Sequence, residues 1–290
     1  MGQLVWLITG CSSGFGELLV HHVLSRGDLA IATGRKLDKI KHLELAGAAA
    51  LELDVTRPQQ DIDDTVAKAI AIHGRVDVVV NNAAYIVMGG WEDIEYDQIL
   101  AQFDTNVFGS IKVTRAVLPH LRERRSGTMV FIGSLSGWHG HPFVGAYAGS
   151  KFALEGLVES LSRETEAFGL KTLLIEPGRF RTKLLSPGNL QVMQSKIPDY
   201  AEASREHANG LAKEDQTQPG DTQKAAKIIV DLVRKEGCAA AKDVPFRFPL
   251  GPDCFSTIKE KCEETLNLLQ EWKDVINSTN HDSGTDIGSN

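Results

Sequence analysis

The chain of 290 residues has few cysteines, a deficit of positive charge and no long apolar run. Its four cysteines, Cys11, Cys238, Cys254 and Cys262, include no CxxC pair and suggest no disulfide framework, so a reduced, cytoplasmic setting is expected. Lys and Arg number 31 against 38 Asp and Glu, a net charge of −7. That balance argues against a general nucleic-acid binder, which would carry a basic patch. The opening "MGQLVWLITG" has no basic n-region and leads straight into an apolar strand, so neither a signal peptide nor a membrane span is expected. Gly2 is not read as a myristoylation site, because Trp6 stands where that signal needs Ser or Thr. No internal repeat and no interdomain linker breaks the chain.

What is present is an alternation. Short apolar runs at 4–10, 29–34, 49–54, 76–82, 128–134 and 171–178 read as buried strands, nearly continuous in apolar character and bounded by turn residues. Amphipathic stretches at 14–27, 37–46, 59–73, 97–123 and 147–168 lie between them. This order predicts βαβ units and a doubly wound parallel sheet with helices on both faces, in one α/β domain over 1–276. Residues 180–220 break the rhythm with prolines, glycines and short helical pieces, and are expected to form a substrate-binding lid. A helix near 221–235, a strand near 244–248 and a charged helix near 255–274 follow. The polar end, 277–290, reads as a disordered tail.

The first strand ends in "TGCSSGFG", which places Gly10, Gly14 and Gly16 at the turn into the first helix. Small residues there let backbone amides and a helix N-terminus approach a pyrophosphate. At the end of the second strand an NAD site would offer an acid to the ribose hydroxyls. This chain reads "ATGRKL", with Gly34 in that place, then Arg35 and Lys36, and with Asp38 taken as the next helix's N-cap. A guanidinium there can take a 2′-phosphate in a bidentate fork, so NADP is the expected cofactor. Asp54, ending the third strand before Val55, is either an acceptor for the adenine amino group or a turn residue.

The stretch "YAGSK" sets Tyr147 and Lys151 four residues apart, on one face of a helix. Taken together, "TGxxxGxG", "NNAA" at 81–84, Asn106, Ser134, "YxxxK" and Pro177-Gly178 resemble the short-chain dehydrogenase/reductases, in order and spacing, over about residues 3–182. "ITGCSSGFG" and "YAGSKFALEGLVESL" are most similar to the branch of 17β-hydroxysteroid and retinol dehydrogenases. The resemblance implies a Rossmann-type fold and a hydride transfer between nicotinamide and a ketone or secondary alcohol.

In those terms Tyr147 is the proton donor to a carbonyl or the base for an alcohol, and Lys151 favours the phenolate and holds the nicotinamide ribose. Ser134 hydrogen-bonds the reacting oxygen. Asn106 anchors a water that links Lys151 to solvent. Thr182 touches the nicotinamide carboxamide. The cofactor-binding set implied is Gly10, Ser12, Ser13, Gly14, Phe15, Gly16, Arg35, Lys36, Asp54, Val55, Asn82, Ala83, Tyr147, Lys151, Pro177, Gly178 and Thr182. One departure is Ala84, where the family's "NNAG" has glycine.

For the substrate, Leu184, Leu185, Val192, Met193, Ile197 and Tyr200 of the lid, with Trp138, Phe143, Val144, Tyr85 and Met88, predict an apolar, partly aromatic cleft and a bulky lipophilic or polycyclic ketone. His139 and His141, two apart with no acidic or cysteine partner, read as pocket residues, and no metal is expected. The competing readings are a non-catalytic NADPH-binding sensor or scaffold, and a dehydratase or epimerase on the same fold. Relatives pair through helices like 97–120 and 147–168, so a homodimer or homotetramer stays open beside a monomer.

Overall fold

The structure is a computed structural model and describes residues 2–281. Most of the expected tail, from 282 on, lies outside the described residues. The strands are β1 (Val5–Ile8), β2 (Leu29–Gly34), β3 (Ala49–Glu52), β4 (Val78–Asn81), β5 (Ile86–Met88), β6 (Gly127–Ile132), β7 (Leu170–Pro177), β8 (Leu190–Val192) and β9 (Arg247–Leu250). Seven of them form one sheet in the order β3-β2-β1-β4-β6-β7-β9, with every pair parallel. The helices are α1 (Gly14–Ser25), α2 (His42–Leu45), α3 (Gln59–His73), α4 (Tyr96–Phe103), α5 (Gly109–Arg124), α6 (Gly145–Glu166), α7 (Pro198–Glu214), α8 (Thr222–Arg234), α9 (Pro252–Glu271) and α10 (Lys273–Asn277). Among the described residues, no helix is long and apolar enough to cross a membrane.

The sheet is buried on both sides, which is why its strands read as unbroken apolar runs. Successive residues of β1 go to opposite faces. Trp6 and Ile8 join Leu19 and Val20 of α1 and Ile229 of α8 in one core. Val5 and Leu7 join Ile62 and Val66 of α3, Val113 and Val117 of α5 and Leu154 of α6 in the other. This is the doubly wound, Rossmann-type arrangement. Strand order reverses between β1 and β4, so the two chains leaving their carboxyl ends diverge and open a crevice.

Three segments depart from expectation. The helix read at 37–46 is a 3₁₀ turn at Leu37–Lys39 followed by the single turn α2, and Lys36, not Asp38, occupies the N-cap position. The helix read at 97–123 is interrupted by a π-helical turn at Asp104–Phe108, whose extra residue per turn sets Asn106 inward. Residues 180–220 are more regular than their composition suggests. Residues Lys183–Leu185 form a 3₁₀ turn, and β8 pairs with β5 in a separate parallel ribbon. The 17-residue α7 follows, with Pro198 in its first turn, where a missing N–H costs nothing.

One buried charge ties the amino-terminal strand to α8. Asp28, 2 % exposed, accepts from Leu4 N, from the Trp6 indole at 2.9 Å and from Arg234 Nη1 at 2.5 Å. Asp28→Ala leaves the Arg234 guanidinium short of one counter-charge and the Trp6 N–H without an acceptor. A loss of about 3–5 kcal/mol is expected for breaking such a buried pair, read from the urea unfolding midpoint; a change under about 1 kcal/mol, the surface-pair scale, contradicts this account.

Candidate active site

The crevice begins at the glycine turn. Gly10 and Gly14 have φ of 70° and 61°, the left-handed region that other residues enter at a cost. A Cβ on Gly10 would lie 2.9 Å from Ala83 Cα, and one on Gly16 only 2.4 Å from the Gly10 carbonyl oxygen. Asn82 locks this approach, donating from Nδ2 to the Thr9 and Gly10 carbonyls at 2.9 and 3.1 Å. Its backbone N–H donates to Thr9 Oγ1. Ser13, at the N-cap of α1, makes no side-chain cap, so the first N–H groups of that helix remain available to an anion.

From this turn a cleft runs along the carboxyl ends of the strands. Its lining includes Gly10, Ser12, Ser13, Gly14, Phe15, Arg35, Val55, Asn82, Ala83, Ser134, Tyr147, Lys151, Pro177, Gly178 and Thr182, all anticipated from sequence. Ala84, the departure from the family motif, lines it too. Tyr85, Lys183, Leu184 and Asn189 also line it, and of these only Asn189 carried no sequence signal. Four anticipated residues do not. Gly16 lies beneath the turn, and Lys36 is exposed outside the lining. Asp54 Oδ1 is taken by the N–H and hydroxyl of Thr56. Asn106, 1 % exposed, accepts from Tyr85 N through Oδ1 and donates through Nδ2 to Tyr85 O and Ser150 Oγ. It therefore fixes the backbone at Tyr85, a cleft residue, rather than facing the cleft.

Ser134, Tyr147 and Lys151 meet because β6 ends beside the first turns of α6. The Tyr147 hydroxyl is within hydrogen-bonding reach of Ser134, and Ser134 Oγ accepts from Ser136 N at 3.0 Å. Burial pushes the Tyr147 phenol above its ordinary pKa, with the Ser134 bond opposing. Lys151 Nζ donates to the Ile132 carbonyl at 2.7 Å and stands 5.8 Å from the Tyr147 ring centroid. Desolvation lowers its pKa to about 8, with the Glu155 charge opposing. In the free chain, then, burial is the leading influence on both groups.

The apolar residues expected around the substrate divide. Met88 and Val144 are buried with Tyr147, and Leu184, Leu185 and Phe143 pack against them, joining the segment after Thr182 to the body. Trp138 does not face the cleft: its indole donates to Glu176 at 2.9 Å beneath the Arg247 guanidinium. A second, apolar hollow of about 470 Å³ lies beside the segment before Tyr147, lined by Trp91, Ile94, Phe103, Phe143, Ala146 and Tyr200. His139 and His141 stand 4.8 Å apart, and His207 of α7 packs 5.8 Å from Phe143.

Comparison with known proteins agrees with this geometry. The short chain dehydrogenase family profile matches residues 4–192. The chain belongs to that family. It is 35 % identical over 261 residues to an uncharacterised oxidoreductase, YusZ, of Bacillus subtilis, covering 87 % of this chain and 90 % of that one. Human retinol dehydrogenase 8 is 41 % identical over 202 residues, 66 % of this chain and 64 % of its own. The crystal structure of a short-chain dehydrogenase from Streptomyces avermitilis superposes with a TM-score of 0.84 at 35 % identity, covering 97 % of this chain and all of that one. The chain is thus an oxidoreductase of a family that binds nicotinamide cofactors.

Proposed function

We propose that this chain is an NADPH-dependent ketone reductase, working also as a secondary-alcohol dehydrogenase, on bulky lipophilic substrates. One observation carries the reading: Ser134, Tyr147 and Lys151 line the same cleft as the glycine turn. The residues at the turn suit a dinucleotide, since glycines remove the Cβ atoms that would fill the pyrophosphate's place and the uncapped α1 terminus favours an anion. The nicotinamide, when bound, supplies or accepts the hydride. Ser134 Oγ holds the reacting oxygen, and the Tyr147 phenol, kept protonated by burial, gives its proton to that oxygen during reduction. Lys151 keeps its charge at neutral pH and offers it, with its N–H donors, to the ribose side of the cleft. Asn106 holds Tyr85 at the cleft wall.

The preference for NADPH rests on Arg35, which lines the cleft where β2 ends in Gly34 and no acid stands. The lipophilic substrate rests on the apolar hollow flanking Phe143 and Ala146, and on the similarity to a protein named retinol dehydrogenase. A cytoplasmic location rests on four free cysteines.

Three outcomes are expected. Tyr147→Phe lowers kcat at least about 10²-fold, the scale of lost general-acid catalysis, with dinucleotide affinity little changed. Single-turnover and titration measurements check this, and near-normal turnover would refute the proton-donor role. The wild type favours NADPH over NADH by roughly 10–100-fold, the worth of one charged hydrogen bond, and Arg35→Ala erases most of that gap while sparing NADH use. Equal use of both cofactors by the wild type contradicts it. In a ketone panel, kcat/KM is higher for a steroid-like or aromatic ketone than for a short polar one, and the opposite order removes the lipophilic assignment.

A further inference from the structure

Two carboxyl groups lie directly behind the Ser134 turn, and neither lines the cleft. Glu155 sits on α6, one turn beyond Lys151, and Glu176 precedes the cleft residue Pro177 on β7. They are 7 % and 0 % exposed. Glu155 Oε2 accepts from Arg247 Nε at 3.0 Å. Glu176 Oε1 accepts from the Trp138 indole at 2.9 Å and lies 3.5 Å from Arg247 Nε. The remaining oxygens, Glu155 Oε1 and Glu176 Oε2, are buried with no donor among the described residues. The two carboxyls are themselves within hydrogen-bonding reach of each other.

The surrounding charges do not balance this pair. Glu159, also on α6, takes Arg247 Nη2 at 3.0 Å, so three carboxyls share one guanidinium. Lys151 feels the Glu155 charge but is not bonded to it, one of its donors going to Ile132 O. On α9, Lys261 donates to the Trp138 carbonyl, the Cys254 thiol donates to the Glu176 carbonyl, and Asp253 adds a further negative charge that accepts from Arg179 N. Two adjacent buried carboxylates in such a place do not both ionise readily, whereas one proton lets the two carboxyls bond each other.

Both groups also grip the turn that carries Ser134. A Cβ on Gly137 would come 2.9 Å from Glu155 Oε1, and one on Gly133 3.1 Å from the same oxygen, so the turn rests against this carboxyl on both sides of Ser134. Trp138, at the turn's end, is tied to Glu176. We propose that Glu155 and Glu176 hold one proton between them, and that this neutralised pair is the positioning element that sets the Ser134 turn against α6 and β7.

Burial and the neighbouring Glu176 push Glu155 up to about 8, and burial raises Glu176 as well, so the proton stays on the pair at neutral pH. An unfolded carboxyl titrates near 4.5, so the pair's contribution to stability is full below that pH and is lost as pH rises to about 8. The positioning half of the proposal rests on the reading of Ser134 as the group that holds the reacting oxygen.

The test combines infrared difference spectroscopy with kinetics. The spectrum of wild type minus Glu155→Gln at neutral pH should contain the carbonyl stretch of a protonated carboxylic acid, fading as pH rises through about 8. Glu155→Gln, which keeps a donor to Glu176 without the charge, should retain kcat within a few-fold. Glu155→Ala should lose at least about tenfold, the scale of a small misplacement of a catalytic group. If Glu155→Ala does not fold, Trp138→Phe takes its place, since it removes the indole N–H that ties the turn to Glu176 and leaves an aromatic ring in its place. No carbonyl band, or a Gln variant as impaired as the Ala variant, overturns the shared proton. Wild-type kcat in the Ala or Phe variant overturns the positioning role. The band is independent of turnover, so its presence upholds the shared proton whatever the ketone panel yields, and its absence overturns it even in an active reductase.

Discussion

The whole site depends on how closely the chain leaving β1 can approach the chain leaving β4. Gly10 and Gly16 bring backbone to backbone at distances that no Cβ would allow, and the Asn82 amide holds the contact by donating to Thr9 and Gly10. That single contact sets the floor of the crevice where strand order reverses, and it aims the amino end of α1 into the cleft. Every other cleft residue is placed relative to it: Arg35 from the neighbouring β2, the Ser134 turn from β6, and Pro177-Gly178 from β7.

A second constraint is electrostatic. The far end of the crevice concentrates ionisable groups in a region that water hardly reaches. Tyr147 is 6 % exposed and Lys151 2 %, and in both desolvation is the leading influence, opposing the charged form. The free chain therefore holds a neutral phenol beside an ammonium whose pKa has fallen towards the working range. Behind it, Arg247 gathers the buried Glu155 and Glu176 and the half-exposed Glu159, so ionisable groups also underlie the turn that carries Ser134. Low dielectric makes such a network costly when it is half satisfied and rigid when it is complete.

Residues 183–192 both pack on the body and line the cleft. Leu184 and Leu185 pack on Met88, Val144 and the Tyr147 ring, while Lys183, Leu184 and Asn189 line the cleft. The β5–β8 ribbon stitches this segment to the chain after "NNAA", with Ile86 N donating to Asn189 O and Met193 N to Met88 O. The wall of the cleft and this segment are thus one hydrogen-bonded unit.

Much of this was legible in the chain itself. Continuous apolar runs alternating with amphipathic stretches imposed the parallel sheet, because a strand buried on both faces leaves no polar side to show. The glycine spacing marked the turn, and the four-residue interval of Tyr147 and Lys151 marked a shared helix face. Local pattern failed where partners were distant. The β5–β8 pairing, with three-residue strands, has no periodicity to detect, and the π-helical turn at Asp104–Phe108 follows from packing, with Gly109 pressed against Val55. The regularity of α7 was masked by the prolines and glycines around it. Trp138, between two strong motifs, read as a pocket residue, but tertiary structure turns it to Glu176 and Arg247. Glu155 and Glu176 read as ordinary charges in a helix and a strand. Only the fold, by bringing β7, β9, α6 and α9 together around them, made their charge a shared problem with a chemical answer.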